Sequence, residues 1–282
     1  MTGPAVVWLD GTLVDVDEAR VSPLDHGLLV GDGVFETLAV YRGVPFAWGR
    51  HDDRLRRSAA GLGLTVPPGS ELRAAADAVL EANALRDGRL RITVTGGPSP
   101  LGSERGEAAP TVLLAASPGR ARPPVVDVVT VPWPRNERGA TAGLTTISYA
   151  ENVRALAYAH DRGASEAVFA NTRDELCEAT GSNIFLVVDD VLVTPPEASG
   201  CLLGVTRALV IELCAQLGIR AEERALPLAA LAAAEEAFLT SSTREVQPIG
   251  RVDERELAVA PGPRSQELAA GFLTLIASNL DP

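Results

Sequence analysis

Lysine is absent from this chain: all 25 basic residues among its 282 are arginine. Without a side-chain amine, no side chain can hold a carbonyl compound as a Schiff base, because a guanidinium stays charged. Cysteine is scarce as well. Cys177, Cys201 and Cys214 are an odd number without metal-type spacing, so they read as reduced, buried thiols of a cytoplasmic protein. With only three histidines, no zinc or other metal site is expected. Positive charge is in deficit: a net charge of −12 argues against a nucleic-acid partner, whose phosphates need a basic surface. No apolar run is long enough to span a membrane, and the opening residues, MTGPAVVWLDG, lack a basic region followed by an apolar core. No membrane partner is expected.

What is present suits a soluble globular protein, 46% hydrophobic and 22% charged, long enough for one large domain or two ordinary ones. Val6–Trp8, the Asp10-Gly11 turn and Thr12–Val16 read as a hairpin. Gly33–Tyr41 is a strand candidate closed by Arg42-Gly43. Arg50–Leu62 and Leu72–Asn83 read as helices, and Arg89–Thr95 and Thr111–Ala116 as strands. Proline, glycine and charge concentrate at Ser117–Pro124, which places a boundary between domains 1–119 and 120–282. Beyond it, Val125–Val131, Ala167–Ala170 and Ile184–Val188 are expected strands. Glu151–Arg162 and Val205–Leu217 are expected helices, the latter with Leu209, Leu213 and Leu217 at four-residue spacing. Two α/β domains result.

Several stretches carry residues suited to chemistry. Ser22–Thr37 reads SPLDHGLLVGDGVFET. His51-Asp52-Asp53-Arg54-Leu55 lies near the start of a helix. Glu175–Phe185 reads ELCEATGSNIF. Gly200–Arg207 (GCLLGVTR) opens a helix whose N–H groups at Val205 and Thr206 would suit an anion. Thr240–Thr243 is a Ser/Thr run, and Gly143–Val153 reads GLTTISYAENV. Together, from about Val6 to about Gly250, they resemble the fold-type IV pyridoxal-phosphate enzymes: branched-chain and D-amino-acid aminotransferases and 4-amino-4-deoxychorismate lyases. The FET at 35–37 looks more like the lyase branch.

The resemblance implies an α/β protein of the two-domain α+β kind with the active site between the domains, working as a homodimer. It implies that Arg54 binds a cofactor phosphate, for which a planar fork of donors is suited. Glu178 would pair with the pyridine nitrogen, and Val205, Thr206 and Ser242 would lie on the phosphate side. Two departures stand out. Many relatives carry lysine directly after the glycine-leucine pair, four residues before the Tyr149 position; here that place holds Thr145. Relatives that bind an amino-acid carboxylate often carry arginine where this chain has Gly96. The cofactor, pyridoxal 5'-phosphate or pyridoxamine phosphate, would then be held without a covalent bond or not at all.

The leading expectation is lyase-type elimination from 4-amino-4-deoxychorismate, giving 4-aminobenzoate and pyruvate without a Schiff base. Aromatisation makes that reaction strongly downhill, so a positioned acid and base can suffice. Thr145, Tyr149 and His26 are the candidate catalytic groups, although His26 beside Asp25 also reads as a structural hydrogen-bonding residue. Arg91, Arg105 and Arg138 are candidates to grip a small anionic, chorismate-derived substrate. The alternatives are a transaminase with a non-covalent cofactor and an inactive homologue serving as a binding or assembly partner.

Overall fold

The computed structural model describes residues 5–119 and 121–282. The chain divides into two compact units. The first takes in the stretch up to the 120 region, Leu144–Tyr149 and Asn279–Pro282; the second takes in Ala121–Gly143 and Ala150–Ser278.

The first unit contains β1 (Val6–Leu9), β2 (Thr12–Asp15), α1 (His26–Val30), β3 (Gly33–Tyr41), β4 (Val44–Pro45), α2 (Trp48–Leu62), α3 (Gly69–Ala82), β5 (Gly88–Thr95) and β6 (Val112–Pro118). Its six strands form an antiparallel sheet in the order β2-β1-β6-β5-β3-β4. Period-2 alternation puts Val34, Leu38 and Val40 on one face with Leu90, Ile92, Val94 and Leu114, and all are buried. Two helices cover that face. The inward stripe of α2 is His51, Arg54, Leu55, Ser58 and Ala59, the spacing of one helical face. That of α3 is Leu72, Ala75, Ala76, Val79 and Leu80. Fully buried side chains such as Leu55 and Leu72 contribute roughly 2–3 kcal/mol each.

The stretch Leu144–Tyr149 packs in this unit and extends its sheet. Phe35 N–H donates to Thr145 O (3.0 Å) and Ile147 N–H to Gly33 O (2.9 Å), and Val34 bridges Thr146 in antiparallel register. β4 covers β3 only at Val40 and Tyr41, so these residues cover the other end of an otherwise open edge.

The second unit contains β7 (Val126–Thr130), α4 (Ala150–His160), β8 (Glu166–Ala170), β9 (Leu176–Ala179), β10 (Asn183–Val188), β11 (Val191–Thr194), α5 (Val205–Leu217), β12 (Ala221–Glu223), α6 (Ala229–Ala233), β13 (Glu236–Ser241), β14 (Glu245–Val252), β15 (Arg255–Glu256) and α7 (Pro263–Ser278). Its mixed sheet runs β12-β11-β10-β13-β14-β7-β8-β9, with β15 added beside β14. The central strands are buried on both faces. Val128, Val168, Ile184, Leu186, Leu239 and Ile249 pack in a cluster with Leu231 of α6, while Val129, Val131 and Phe169 pack in another with Ala155 and Ala159 of α4.

The fold class is that expected, mixed α/β, and most expected elements are present within a few residues. The compact units depart from a division at 119/120 in two stretches, Leu144–Tyr149 and Asn279–Pro282, which join the first unit. A boundary drawn along the chain cannot anticipate a segment that crosses back. β9, β11 and every element after Leu217 also lay outside the expectation.

Candidate functional site

In the first unit a charged cluster sits within the core. Glu36 lies on the inner face of β3 between Val34 and Leu38 and is fully buried. Arg54 of α2 donates to both its oxygens, Nε to Oε1 at 2.8 Å and Nη2 to Oε2 at 2.7 Å. His51, one turn earlier on the same stripe, reaches Oε2 through Nδ1 at 2.6 Å. Burial alone would push the Glu36 carboxyl up; the Arg54 charge and hydrogen bonds, aided by His51, outweigh it and hold the group at about 2. Burial lowers the His51 pKa, so the ring is held towards its neutral form and donates its Nδ1–H. The middle residue of the FET sequence is therefore what aims Arg54, the expected phosphate ligand.

The opposite face of the same sheet carries different chemistry. Phe35, Thr37 and Ala39 of β3 stand across from Thr93, Arg91 and Arg89 of β5. The Arg91 guanidinium carbon lies 3.8 Å from the Phe35 ring centroid, and Arg91 Nε donates to Thr93 Oγ1 at 3.2 Å. Arg91 is exposed and has no carboxylate in ion-pair range among the described residues. Tyr149, 38% exposed, meets the edge of Phe35 with ring centroids 5.3 Å apart. Thr145 is buried; its N–H donates to Ser58 Oγ at 3.0 Å, and its own Oγ1 has no hydrogen-bond partner.

His26 and Arg105 belong to a third group. His26 Nδ1 lies 3.1 Å from Asp32 Oδ2, and its Nε2 lies 3.0 Å from Gly102 O. Arg105 grips Asp32 with Nε and Nη2 (2.6 and 2.5 Å) and donates from Nη1 to Leu62 O at 2.6 Å. Those Arg105 bonds, and then His26, hold the Asp32 carboxyl below the usual range. A Cβ added at Gly96 would fall into the Asp32 carboxylate, so an arginine cannot be accommodated there without moving this network. Gly31 (φ 71°) ends α1 in the left-handed region, and Ser148 Oγ donates to its carbonyl at 2.9 Å. The GDG sequence thus joins α1, β3 and the 144–149 stretch.

In the second unit, one loop gathers the candidate groups. Leu202 N–H donates to Glu178 Oε2 (2.9 Å), while Leu202 O accepts from Asn183 Nδ2 (2.7 Å). The loop then enters α5 at Gly204, which offers no side-chain cap, so the first-turn N–H groups around Val205 and Thr206 are available to an anion. Asn183 pairs across the ladder with Thr240. The hydroxyls of Thr240 and of Ser182, in the turn before Asn183, are buried without hydrogen-bond partners. Buried donors are almost always met, so unmet ones beside a helix N-terminus fit a phosphate-bearing ligand. Ser242, in the turn after β13, is half-buried.

Arg138 is 78% exposed at its side chain and 3.7 Å from Glu137. Burial raises all three thiols, Cys201 to about 12 and Cys214 to about 11, which removes them as nucleophiles. Among the described residues no cluster of His, Cys, Asp and Glu could hold a metal ion, and no helix is long and apolar enough to cross a membrane. Glu36, Arg135 and Asn183 were not among the residues the sequence singled out, and Thr240 was named only within its Ser/Thr run. For Glu36, alternation within β3 was the available signal, since it puts a carboxylate on the core face.

Comparison with known proteins gives the family. The sequence matches the family described as Amino-transferase class IV over residues 33–252. It is 37% identical to a putative branched-chain-amino-acid aminotransferase of Methanocaldococcus jannaschii, covering 88% of each chain. It is 30% identical to D-alanine aminotransferase of Bacillus licheniformis, covering 96% of this chain and 97% of that one. A branched-chain aminotransferase structure from Thermoproteus uzoniensis with norvaline superposes with a TM-score of 0.89 at 32% identity, over 98% of this chain and 95% of that one. A T.th. branched-chain aminotransferase structure with pyridoxamine 5'-phosphate gives 0.91 at 26% identity, over 97% and 94%. A putative 4-amino-4-deoxychorismate lyase of Legionella pneumophila shares the fold, with a TM-score of 0.86 at 24% identity over 93% and 96%. The chain belongs to the class IV aminotransferase family.

Proposed function

We propose that this protein is a lyase of the 4-amino-4-deoxychorismate type that works without a Schiff base to any side chain. The observation that carries the reading is the missing lysine in a chain that has Arg54 and Glu178 within the motifs of the resemblance, with Thr145 and its unpartnered buried hydroxyl following Gly143-Leu144. Transamination needs a base to move a proton between two carbons. Elimination needs one ring proton removed and one carbon–oxygen bond broken, and the gain of an aromatic ring drives it. The products, 4-aminobenzoate and pyruvate, account for every atom of the substrate.

In this reading Arg91, exposed on the β5 face and lacking an internal carboxylate, binds a substrate carboxylate. Tyr149 serves as the proton-transfer group, and the Thr145 hydroxyl orients the substrate or a water. His26 and Arg105 are already engaged with Asp32 and the 99–107 loop, so they shape the site rather than react. The unmet hydroxyl of Thr240, the N-terminus of α5 and Glu178, all in the second unit, suit a pyridoxal- or pyridoxamine-type phosphate held non-covalently. When bound, such a group supplies an electron sink. Exposed Leu24, Leu28, Leu29 and Val30 support a homodimer, which sedimentation at micromolar concentration checks.

A transaminase with a non-covalent cofactor is the second reading, favoured by the aminotransferase names of the relatives at 30% identity or more. The deciding experiment incubates the protein, with and without added cofactor, with aminodeoxychorismate and measures pyruvate and 4-aminobenzoate. Stoichiometric release of both is expected. No release under either condition, with amino transfer from an amino-acid donor instead, would establish the second reading. Thr145→Lys is expected to lower lyase turnover, because a bulky amine would occupy a site arranged for substrate. Turnover that rises and becomes dependent on pyridoxal phosphate would show instead that a lysine was merely lost.

A further inference from the structure

We propose that Arg135 is a positioning residue that holds the Glu178 carboxylate ionised and aimed at the ring nitrogen of a bound pyridoxamine-type ligand. The inference rests on the reading above that the second unit binds such a ligand.

The guanidinium of Arg135 is fixed from three sides. Its backbone N–H donates to Ala170 O at 2.8 Å, and the residue bridges Asn171 in parallel register, which pins it to the end of β8. Its guanidinium carbon lies 4.2 Å from the Phe169 ring centroid, and Phe169 stands directly across the β8–β9 ladder from Glu178. Its Nη2 donates to Asn152 Oδ1 at 2.5 Å, and Asn152 in turn donates to Thr180 O at 2.8 Å. These constraints leave Nη1 3.6 Å from Glu178 Oε1. They also leave the Arg135 Nε–H buried without an acceptor. A buried unmet donor calls for an explanation, and a guanidinium fixed beside Glu178 supplies one.

That geometry has a chemical use. At 3.6 Å the guanidinium is in ion-pair range but beyond a hydrogen bond, so it acts on Oε1 as a charge and not as a donor. A fixed positive charge favours the ionised carboxylate, the form that stabilises a protonated ring nitrogen. The other oxygen is anchored by Leu202 N–H, so the carboxylate is oriented from both sides. The nearby thiols of Cys177 and Cys201 are kept neutral by burial and add no competing charge. Arg135 touches the ligand only through Glu178.

A double-mutant cycle read by binding, not activity, tests this. Pyridoxamine 5'-phosphate is titrated by fluorescence into the full-length protein and into Arg135→Gln, Glu178→Gln and the double variant. Arg135→Gln is expected to raise Kd at least tenfold when Glu178 is present and less than twofold when it is Gln. A purely structural role would weaken binding by the same factor in both backgrounds, and that outcome, or an unchanged Kd, overturns the proposal. Should Arg135→Gln fail to fold, Arg135→Lys serves in its place, with at least a threefold effect expected that vanishes in Glu178→Gln. If the unmodified protein does not bind the probe, the ligand reading and this inference fall together; binding without coupling overturns this inference alone.

Discussion

Glu36 in the first unit and Glu178 in the second each face an arginine, and the two pairs differ in closeness and in exposure. Arg54 meets Glu36 with two hydrogen bonds of 2.7 and 2.8 Å, His51 adds a third contact, and no part of the carboxylate reaches solvent. Arg135 stands 3.6 Å from Glu178, whose side chain is 12% exposed. Short bidentate contacts in a low-dielectric core commit a carboxylate to the fold. At 3.6 Å the Arg135 guanidinium acts on Glu178 as a charge and does not take up a hydrogen bond. The hydroxyls do not divide this way: Thr145 Oγ1 in the first unit and Thr240 and Ser182 in the second are all buried with no hydrogen-bond partner.

Breaking the tighter pair should have the largest effect. Glu36→Ala leaves Arg54 charged and buried, and a loss of about 3–5 kcal/mol in urea unfolding is expected. A loss below about 1 kcal/mol would mean that Arg54 finds solvent easily and that the contrast between the two pairs is overstated. Acid should expose the same cluster. Glu36 has its folded pKa depressed from 4.5 to about 2, so its contribution is present above pH 4.5 and lost as the pH falls towards 2. The stability gap between the unmodified protein and Glu36→Gln should therefore shrink by about 3 kcal/mol across that window. The His51 pKa is also depressed, which adds an earlier loss as the pH falls below 6.5.

The second unit should respond in the opposite sense. Thr240→Val removes an unmet buried hydroxyl, so stability without ligand should stay the same or rise by up to about 1 kcal/mol. The same change should weaken pyridoxamine 5'-phosphate binding by about tenfold in a fluorescence titration. Destabilisation without any change in binding would remove Thr240 from the site. Arg105→Ala should have the smallest effect, about 1 kcal/mol or less in unfolding, since its pair with Asp32 is partly exposed. A larger loss would show that the 99–107 loop is integral to the first unit.

The sequence alone decided what rests on local pattern. Alternation in Gly33–Tyr41 and Arg89–Thr95 is a property of neighbouring residues and survives into β3 and β5. The helical stripe of α2 and the N-terminus of α5 were readable for the same reason, and the absence of lysine settles a chemical exclusion before any fold is known. Only the tertiary structure could decide the rest. Leu144–Tyr149 adds to the edge of β3 although more than a hundred residues separate them, and no local signal marks that return. The partners of Glu36 lie 15 and 18 residues away on a different element, so its burial as a charged pair depends on how α2 packs. Thr240 and Ser242 look alike in the run TSST, yet Thr240 is buried in β13 and Ser242 lies in the turn beyond it. Which hydroxyl faces inward is set by where the strand ends, and the partner strands decide that through the hydrogen bonds they offer.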